Sequence, residues 1–133
     1  MHSPVEMNRV TGIILNGSIR VHRELGPGSL ESVYEAVLAK RLRSCGSNVE
    51  RQRVISLTID GEEFNEVFRL DLFAEDMIVV ELKSVEDLHP VHFKKTLTYL
   101  RLLKLPLGLL IKFGDPTLKN GYHRIANDLR EPS

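Results

Sequence analysis

Two acidic residues and a lysine, Asp71, Glu81 and Lys83, interrupt a pair of apolar segments in the middle of the chain. An ionised side chain is costly to bury unless it is paired or binds a cation. Two carboxylates can hold Mg²⁺, which polarises a phosphoryl oxygen and lowers the pKa of bound water, and a nearby ammonium stabilises developing negative charge. The three residues indicate metal-assisted phosphodiester hydrolysis, and an ordinary ion-pair cluster at a strand end is the alternative.

The two apolar segments predict the strands of a β-hairpin. Alternation along the first strand puts Leu70 and Leu72 on one face and Asp71 on the other. Glu81 and Lys83 are two residues apart, so they share a face of the second strand at a spacing of roughly 6 to 7 Å. A two-residue loop would send the two acids to opposite faces. A common cation site therefore requires an odd loop, and we predict one of three residues.

The remaining pattern predicts a domain that contains both α-helices and a β-sheet. Helical spacing with Gly and Pro stop signals predicts helices over residues 6–25, 30–45 and 90–104, the second with Ser29 as its N-cap. Alternating or continuous apolar runs predict strands over residues 49–60, 62–73, 77–83, 107–113 and 122–125. Asp60-Gly61 predicts the turn between the first two strands.

Composition indicates one domain spanning residues 1–133. A hydrophobic content of 42% in 133 residues is enough to form a core without disulfides. The single cysteine, Cys45, excludes an internal disulfide and a multi-cysteine zinc site, and we interpret it as a packing residue. The sequence shows neither a signal-peptide pattern nor a long uncharged apolar run, so we expect a cytoplasmic protein without membrane association.

Charge is balanced overall but unevenly distributed. Eighteen basic residues match eighteen acidic ones, which by itself gives no support for tight nucleic-acid binding. Residues 60–87 contain ten acids and two bases, whereas residues 94–124 contain seven bases and one acid. This asymmetry is consistent with a metal site beside a phosphate-binding surface, and equally with a solvated surface.

Two of the predicted helices carry further candidates. Glu31 and Tyr34 are neighbours on one face of the second helix, where Glu31 is either a third carboxylate for the site or an acid facing the positive helix end. His92, Lys95 and Tyr99 follow i, i+3 and i+7 spacing on the third helix and could line the side facing the hairpin.

The segment Gly28 to Tyr34 spells Gly-x-x-Glu-x-x-Tyr, and the order of later features resembles the small GxxExxY protein family. The resemblance covers nearly the whole chain, through Val21-His22, Leu25-Gly26-Pro27-Gly28, Asp71-Leu72, Glu81-Leu82-Lys83, Leu97-Thr98-Tyr99-Leu100 and Leu107-Gly108-Leu109-Leu110-Ile111. It implies the PD-(D/E)XK nuclease-like superfamily, near its RecB-like group. The fold expected from this resemblance is α/β, with a central mixed β-sheet flanked by helices as the restriction-endonuclease-like core.

The resemblance also implies functional residues. Carried over by position, the catalytic set is Glu31, Asp71, Glu81 and Lys83, in which the three carboxylates hold Mg²⁺, or Mn²⁺ as a substitute. RecB-like members carry Gln-x-x-x-Tyr on the following helix; here Tyr99 matches and Lys95 replaces the Gln, while Lys112 replaces an expected Asn. We take Lys95, Tyr99 and Tyr34 as candidate substrate-binding residues.

Two functions are consistent with these residues. The first is a Mg²⁺-dependent nuclease-like enzyme that hydrolyses phosphodiester bonds of nucleic acid, with DNA preferred to RNA as the partner. The alternative is a catalytically inactive domain of the same fold that acts as a nucleic-acid or protein interaction module. The complete carboxylate set favours the first, and the neutral charge and Lys95 favour the second. A homodimer, which would supply two cutting sites, is left open by the sequence.

Overall fold

The computed structural model describes residues 2–128, apart from the side chain of Val67, and contains three helices and five strands. In chain order these are α1 (Pro4–Leu25), α2 (Glu31–Ser44), β1 (Val49–Ile59), β2 (Glu62–Ala74), β3 (Ile78–Lys83), α3 (Pro90–Leu103), β4 (Leu107–Lys112) and β5 (Tyr122–Ala126). Every element predicted from the sequence is present, with small differences at the ends. Within the described residues, no helix is both long and apolar enough to cross a membrane.

The strands form one mixed sheet in the order β1-β2-β3-β4-β5. Only β3 and β4 are parallel, and the other neighbours are antiparallel. Parallel neighbours need a crossover connection, which α3 supplies. All six residues of β4 are buried, as its continuous apolar run predicts for a strand inside a sheet. The predicted α/β fold with a mixed sheet is confirmed.

Helices cover both faces of the sheet and create two apolar clusters. The larger cluster joins α1 and α2 to the sheet, through residues such as Ile14, Leu38 and Val80. The smaller one joins α3 to the other face, with Leu100 and Val79 among its buried residues. The edge of the smaller cluster contains the end of β3 and the start of α3, and the candidate site lies there.

The β2–β3 connection sets the register of the hairpin. Ala74 pairs with Ile78, so the loop has the three residues Glu75, Asp76 and Met77. Glu75 and Asp76 adopt left-handed backbone angles, with φ of 55° and 50°. The predicted odd loop of three residues is confirmed, and its register carries Asp71 and Glu81 toward each other.

The β1–β2 hairpin extends beyond the body of the sheet. β2 pairs with β3 only at residues 72–74, whereas its pairing with β1 continues out to Glu62. Asp60 and Gly61 form the tip with φ of 53° and 77°, as the Asp-Gly signal predicts. The outer part of the hairpin is thus a two-stranded arm, and the exposed apolar residues Ile59 and Phe64 lie near its tip.

Candidate active site

Asp71 and Glu81 lie where β2 and β3 separate. The last paired residues on this side are Leu72 and Val80. One step further, the Asp71 amide donates a hydrogen bond to Glu81 Oε1 at 3.2 Å, and the Leu82 amide donates to Asp71 Oδ2 at 2.8 Å. The two side chains therefore satisfy backbone groups that the strand ladder leaves open, which fixes both carboxylates at one point.

The face alternation of β2 breaks at this point. Leu72 packs in the cluster beneath α1 and α2, whereas Leu70 packs in the cluster beneath α3. The prediction that Leu70 and Leu72 share a face is therefore wrong. The Asp71 amide bonds to a side chain of β3 and not to its backbone, so β2 leaves the regular ladder between the two leucines. The strand β2 thus leaves the regular ladder at Asp71, one of the two acids of the site.

Burial strongly affects the Glu81 carboxyl group. Glu81 is only 8% exposed, and burial, reinforced by the neighbouring Asp71 carboxylate, raises its pKa from 4.5 to about 9. The Lys83 ammonium acts in the opposite direction, with a smaller effect. At neutral pH Glu81 therefore carries a proton unless a cation compensates the pair. This is the electrostatic condition expected of a carboxylate pair that can exchange a proton for a metal ion.

Lys83 follows Glu81 by two residues on β3 and faces the same cleft. Its backbone is anchored because the Lys83 carbonyl accepts a hydrogen bond from the Phe113 amide at 2.8 Å. The side chain is half-buried. Among the ion pairs within residues 2–128, none involves Lys83. The ammonium is thus held near the acids without being neutralised by a direct ion pair there.

Glu31 reaches this region from the first turn of α2. Its Oε2 accepts hydrogen bonds from the Ser84 amide at 3.1 Å and the Ser84 hydroxyl at 3.3 Å. Ser84 directly follows Lys83 at the end of β3, so the contact ties α2 to the strand that carries Glu81. The structure therefore brings the third predicted carboxylate to the same end of β3.

Tyr34 fixes the loop that precedes α2 and is not exposed to the cleft. Its side chain is fully buried, and its ring stacks on Phe113 with the centroids 4.3 Å apart. The hydroxyl donates a hydrogen bond to the Gly26 carbonyl and accepts one from the Ser29 amide. Tyr34 thus belongs to the core, and this placement removes the basis for proposing it as a substrate contact.

The predicted N-cap of α2 is wrong. The N-cap residue is Leu30, and no side chain caps the helix. Ser29 lies one residue too early, and its amide is held by the tyrosine hydroxyl. In the Gly-x-x-Glu-x-x-Tyr segment, the tyrosine anchors the loop and Glu31 is the residue that reaches the site.

The cleft between β3 and α3 encloses a cavity of about 20 Å³. Its lining consists of Glu81, Lys83, His92, Lys95, Thr96, Tyr99 and Leu110. The expected shared face of the three polar α3 residues is therefore present and turned toward the hairpin. The space is sufficient for about one water molecule or ion.

The α3 residues differ in their surroundings. Tyr99 is 5% exposed, and burial followed by the Glu81 and Asp71 charges raises its pKa to about 12, so its hydroxyl stays protonated. His92 has a lowered pKa because of partial burial and the Lys83 charge, which keeps its imidazole neutral at physiological pH. Lys95 is exposed at the rim, and no ion pair within the described part of the chain joins it to either acid.

Some functional and structural roles were not evident from the sequence. Ser84 and Thr96 were not predicted at all, because their positions depend on contacts between distant elements. His92 carried a signal, namely its i+3 spacing to Lys95. Lys112 lies outside the cleft lining; its ammonium is 2.8 Å from Asp115 Oδ2 and serves the loop after β4.

The donor set is suited to a hard divalent cation. Within residues 2–128, no group of three or more His, Cys, Asp and Glu side chains is already arranged to hold a metal ion. Two carboxylates, Asp71 and Glu81, nevertheless meet at the cleft, and Glu31 is held on the adjacent Ser84. Mg²⁺ typically retains several waters and takes one or two protein carboxylates, so this set of oxygen donors fits it.

Comparison with known proteins agrees with this architecture. The sequence model of the PD-(D/E)XK nuclease superfamily matches residues 8–125, which is most of the chain. Neither the curated proteins nor the solved structures include a significant match. The matched region contains both strands of the carboxylate hairpin, the start of α2 and all of α3. The chain therefore belongs to the PD-(D/E)XK nuclease superfamily.

Proposed function

We propose that this protein is a divalent-metal-dependent nuclease that hydrolyses phosphodiester bonds of nucleic acid, with Mg²⁺ as its metal and Mn²⁺ as a substitute. The observation that carries the proposal is the carboxylate pair of the buried Glu81 and the half-buried Asp71, each of which accepts a hydrogen bond from a backbone amide of the other strand, in a cleft shared with Lys83, which forms no ion pair within the described residues. Such a pair destabilises the folded chain at neutral pH unless it binds a proton or a cation. Membership of a nuclease superfamily supports the same chemistry.

In this proposal each residue has a distinct role. Asp71 and Glu81 bind the metal, and Glu31 completes the set directly or through a bound water. The metal, when bound, supplies Lewis acidity toward a phosphoryl oxygen and a lowered pKa for water. Lys83 stabilises negative charge on the scissile phosphate, because its ammonium is close to the acids yet forms no ion pair with them.

The substrate side of the cleft is formed by α3. Lys95 is exposed at the rim and offers a full positive charge for a backbone phosphate, whereas Tyr99 offers a protonated hydroxyl from the cleft wall. Further bases, Lys94, Arg101 and Lys104, are exposed on the same helix or at its end. We propose nucleic acid as the partner, with DNA preferred.

The alternative of a non-catalytic binding module is favoured by one observation: the cavity at the acids is small, and a lysine stands at its rim. A lysine is only a donor, whereas the glutamine of related helices is both donor and acceptor. The two-stranded arm with exposed Ile59 and Phe64 would also suit contact with a second copy. These alternatives predict binding or association without cleavage.

The test is a cleavage assay on supercoiled plasmid DNA and on end-labelled DNA and RNA strands, with Mg²⁺, Mn²⁺ or EDTA. Asp71→Asn and Lys83→Gln should each lower cleavage by about 100-fold or more. The first removes a charged metal ligand, and the second removes the positive charge that stabilises the reacting phosphate. Glu50→Gln is the matched control, since it neutralises an exposed carboxylate on β1 that bonds to Arg53. Binding with no metal-dependent cleavage by the wild-type protein would favour the module.

A further inference from the structure

A second cavity lies between α1 and α2, with a volume of about 440 Å³. This volume falls in the range of small-molecule sites. Its lining includes the apolar Ile13 and Leu42, together with Gly17, whose missing side chain lets Leu38 and Leu42 of α2 pack closely against α1. None of its lining residues belongs to the candidate active site.

Two arginines face this cavity. Arg20 is exposed on α1, and Arg41 is partly buried on α2. One terminal nitrogen of Arg41, Nη2, donates to Glu24 Oε2, but Nη1 is buried and has no hydrogen-bond partner within the described residues. A buried donor on a charged group normally has an acceptor, and Nη1 lacks one among the described residues, so the Arg41 guanidinium has an unused hydrogen-bond donor beside the cavity.

Arg41 is ion-paired with Glu24, whereas no ion pair within the described residues joins Arg20 to an acid, so the uncompensated positive charge at the cavity is that of Arg20. The α2 carbonyls nearest the cavity are already engaged: that of Arg41 accepts from the Cys45 amide, and that of Leu42 accepts from the Ser47 amide. The hydroxyl of Ser44 and the amide of Asn16 are exposed and line the rim. The cavity therefore combines an apolar floor with guanidinium groups and neutral hydrogen-bonding side chains.

We propose that the α1–α2 cavity binds a small organic anion with an apolar body, held by its carboxylate or phosphate against Arg41 and Arg20. The planar guanidinium matches both kinds of anion through paired N–H donors. The apolar part of the ligand covers Ile13 and Leu42. This site is independent of metal binding and of phosphodiester cleavage.

The chain contains a built-in reporter for this site. Cys45 is the only cysteine in the sequence, is exposed and lines the cavity. A bound ligand should therefore slow alkylation of Cys45 by iodoacetamide, a neutral reagent. The probes are benzoate, which carries a carboxylate, and phenyl phosphate, which carries a phosphate. Benzamide is the uncharged control for benzoate.

We expect at least one anion to protect Cys45 with an apparent Kd on the order of 1 mM, as is typical of a fragment, and benzamide to protect at least about tenfold less well. Arg41→Gln should weaken protection about tenfold or more, because a buried charged contact is lost. Lys40→Gln, which removes an exposed charge from the same helix outside the cavity lining, should stay within about twofold.

Three results would overturn the proposal. Absence of protection by either anion well above 1 mM would mean that water alone satisfies Arg41. Equal protection by benzamide would mean that the cavity selects only apolar surface. An equal effect of Lys40→Gln and Arg41→Gln would mean that general charge, and not the cavity, attracts the anion. Circular dichroism of each variant confirms that the comparison is made on folded protein.

Discussion

Replacing Glu81 with glutamine should stabilise the metal-free protein at neutral pH. Glutamine has the shape of the protonated acid, and its Oε1 can still accept the Asp71 amide that Glu81 accepts at 3.2 Å. The folded protein holds the Glu81 proton up to a pKa of about 9, whereas the carboxyl group ordinarily loses it near 4.5. Glu81→Gln removes the need to bind that proton on folding.

The magnitude follows from proton linkage. At pH 7.5, protonating a group of pKa 4.5 costs about 1.4 kcal/mol for each of three pH units, or about 4 kcal/mol in total. The contribution of Glu81 to stability is fully present below pH 4.5 and is lost progressively as pH rises to 9. The variant should therefore be more stable than wild type by about 2 to 4 kcal/mol at pH 7.5, with little difference near pH 4.5.

The assay is urea unfolding in EDTA, followed by far-ultraviolet circular dichroism because the chain has no tryptophan. The difference in unfolding free energy between the two proteins is measured from pH 5 to 9. Because both proteins contain the same five histidines, the pH dependence of this difference reports Glu81. A difference that stays near zero across this range, or that favours wild type at pH 7.5, would refute the assignment of Glu81 as a buried protonated acid.

Glu35→Gln is the matched control for the same chemical change. Glu35 is also buried, at 5% exposure, but its carboxylate is paired with Arg51 at 3.0 Å and Gln52 at 2.5 Å. Neutralising it removes a satisfied charge, so we expect a loss of about 1 kcal/mol, opposite in sign to the Glu81 variant. Equal effects of the two substitutions would show that the Glu81 result is not specific to the carboxylate pair.

Two further predictions concern the carboxylate site, and a third concerns the loop that precedes α2. Mg²⁺ at a hundredfold excess over its Kd should raise the unfolding free energy of wild type by about 2.7 kcal/mol in calorimetry, and Glu81→Ala should abolish this shift. An equal shift in wild type and variant would argue that Mg²⁺ does not bind at Asp71 and Glu81. Lys95→Gln should weaken nucleic-acid binding and reduce the slope of log binding constant against log salt concentration by about one unit. Mg²⁺ affinity should stay unchanged, because the exposed Lys95 forms no ion pair with Asp71 or Glu81. Tighter Mg²⁺ binding by the variant in titration calorimetry would instead show that Lys95 competes with Mg²⁺ for the two carboxylates. Tyr34→Phe should lower the unfolding free energy by about 1 kcal/mol in urea, since the Gly26 carbonyl loses its donor; unchanged stability would mean that the hydroxyl does not anchor the loop.

The sequence predicted most of the elements, because their signals are local. Apolar periodicity and turn residues determine where helices and strands begin and end, as at Asp60-Gly61. The register of the carboxylate hairpin was also predictable. Two acids that serve one site must share a face, and only an odd loop permits this, as the pairing of Ala74 with Ile78 confirms.

Strand alternation failed where the site itself alters the backbone. Leu70 and Leu72 are separated by Asp71, whose amide bonds to the Glu81 side chain, and the regular ladder stops there. A period-two rule assumes an intact ladder, so it cannot anticipate a break that side chains create. The predicted Ser29 cap failed for a related reason, since the hydroxyl of Tyr34 holds the Ser29 amide.

The sequence by itself therefore determined the order of the elements and the acids and lysine of the central hairpin, because these depend on residue type and short spacing. The parallel pairing of β3 with β4, which makes the sheet mixed, joins residues about 29 positions apart and depends on tertiary packing. Only the tertiary structure decided how the acids ionise and which distant groups join them. The raised pKa of Glu81 results from burial beneath α3, and Glu31 reaches Ser84 across a separation of 53 residues. It also placed Tyr34 in the core, since stacking on Phe113 depends on packing between α2 and the end of β4, which no local pattern encodes.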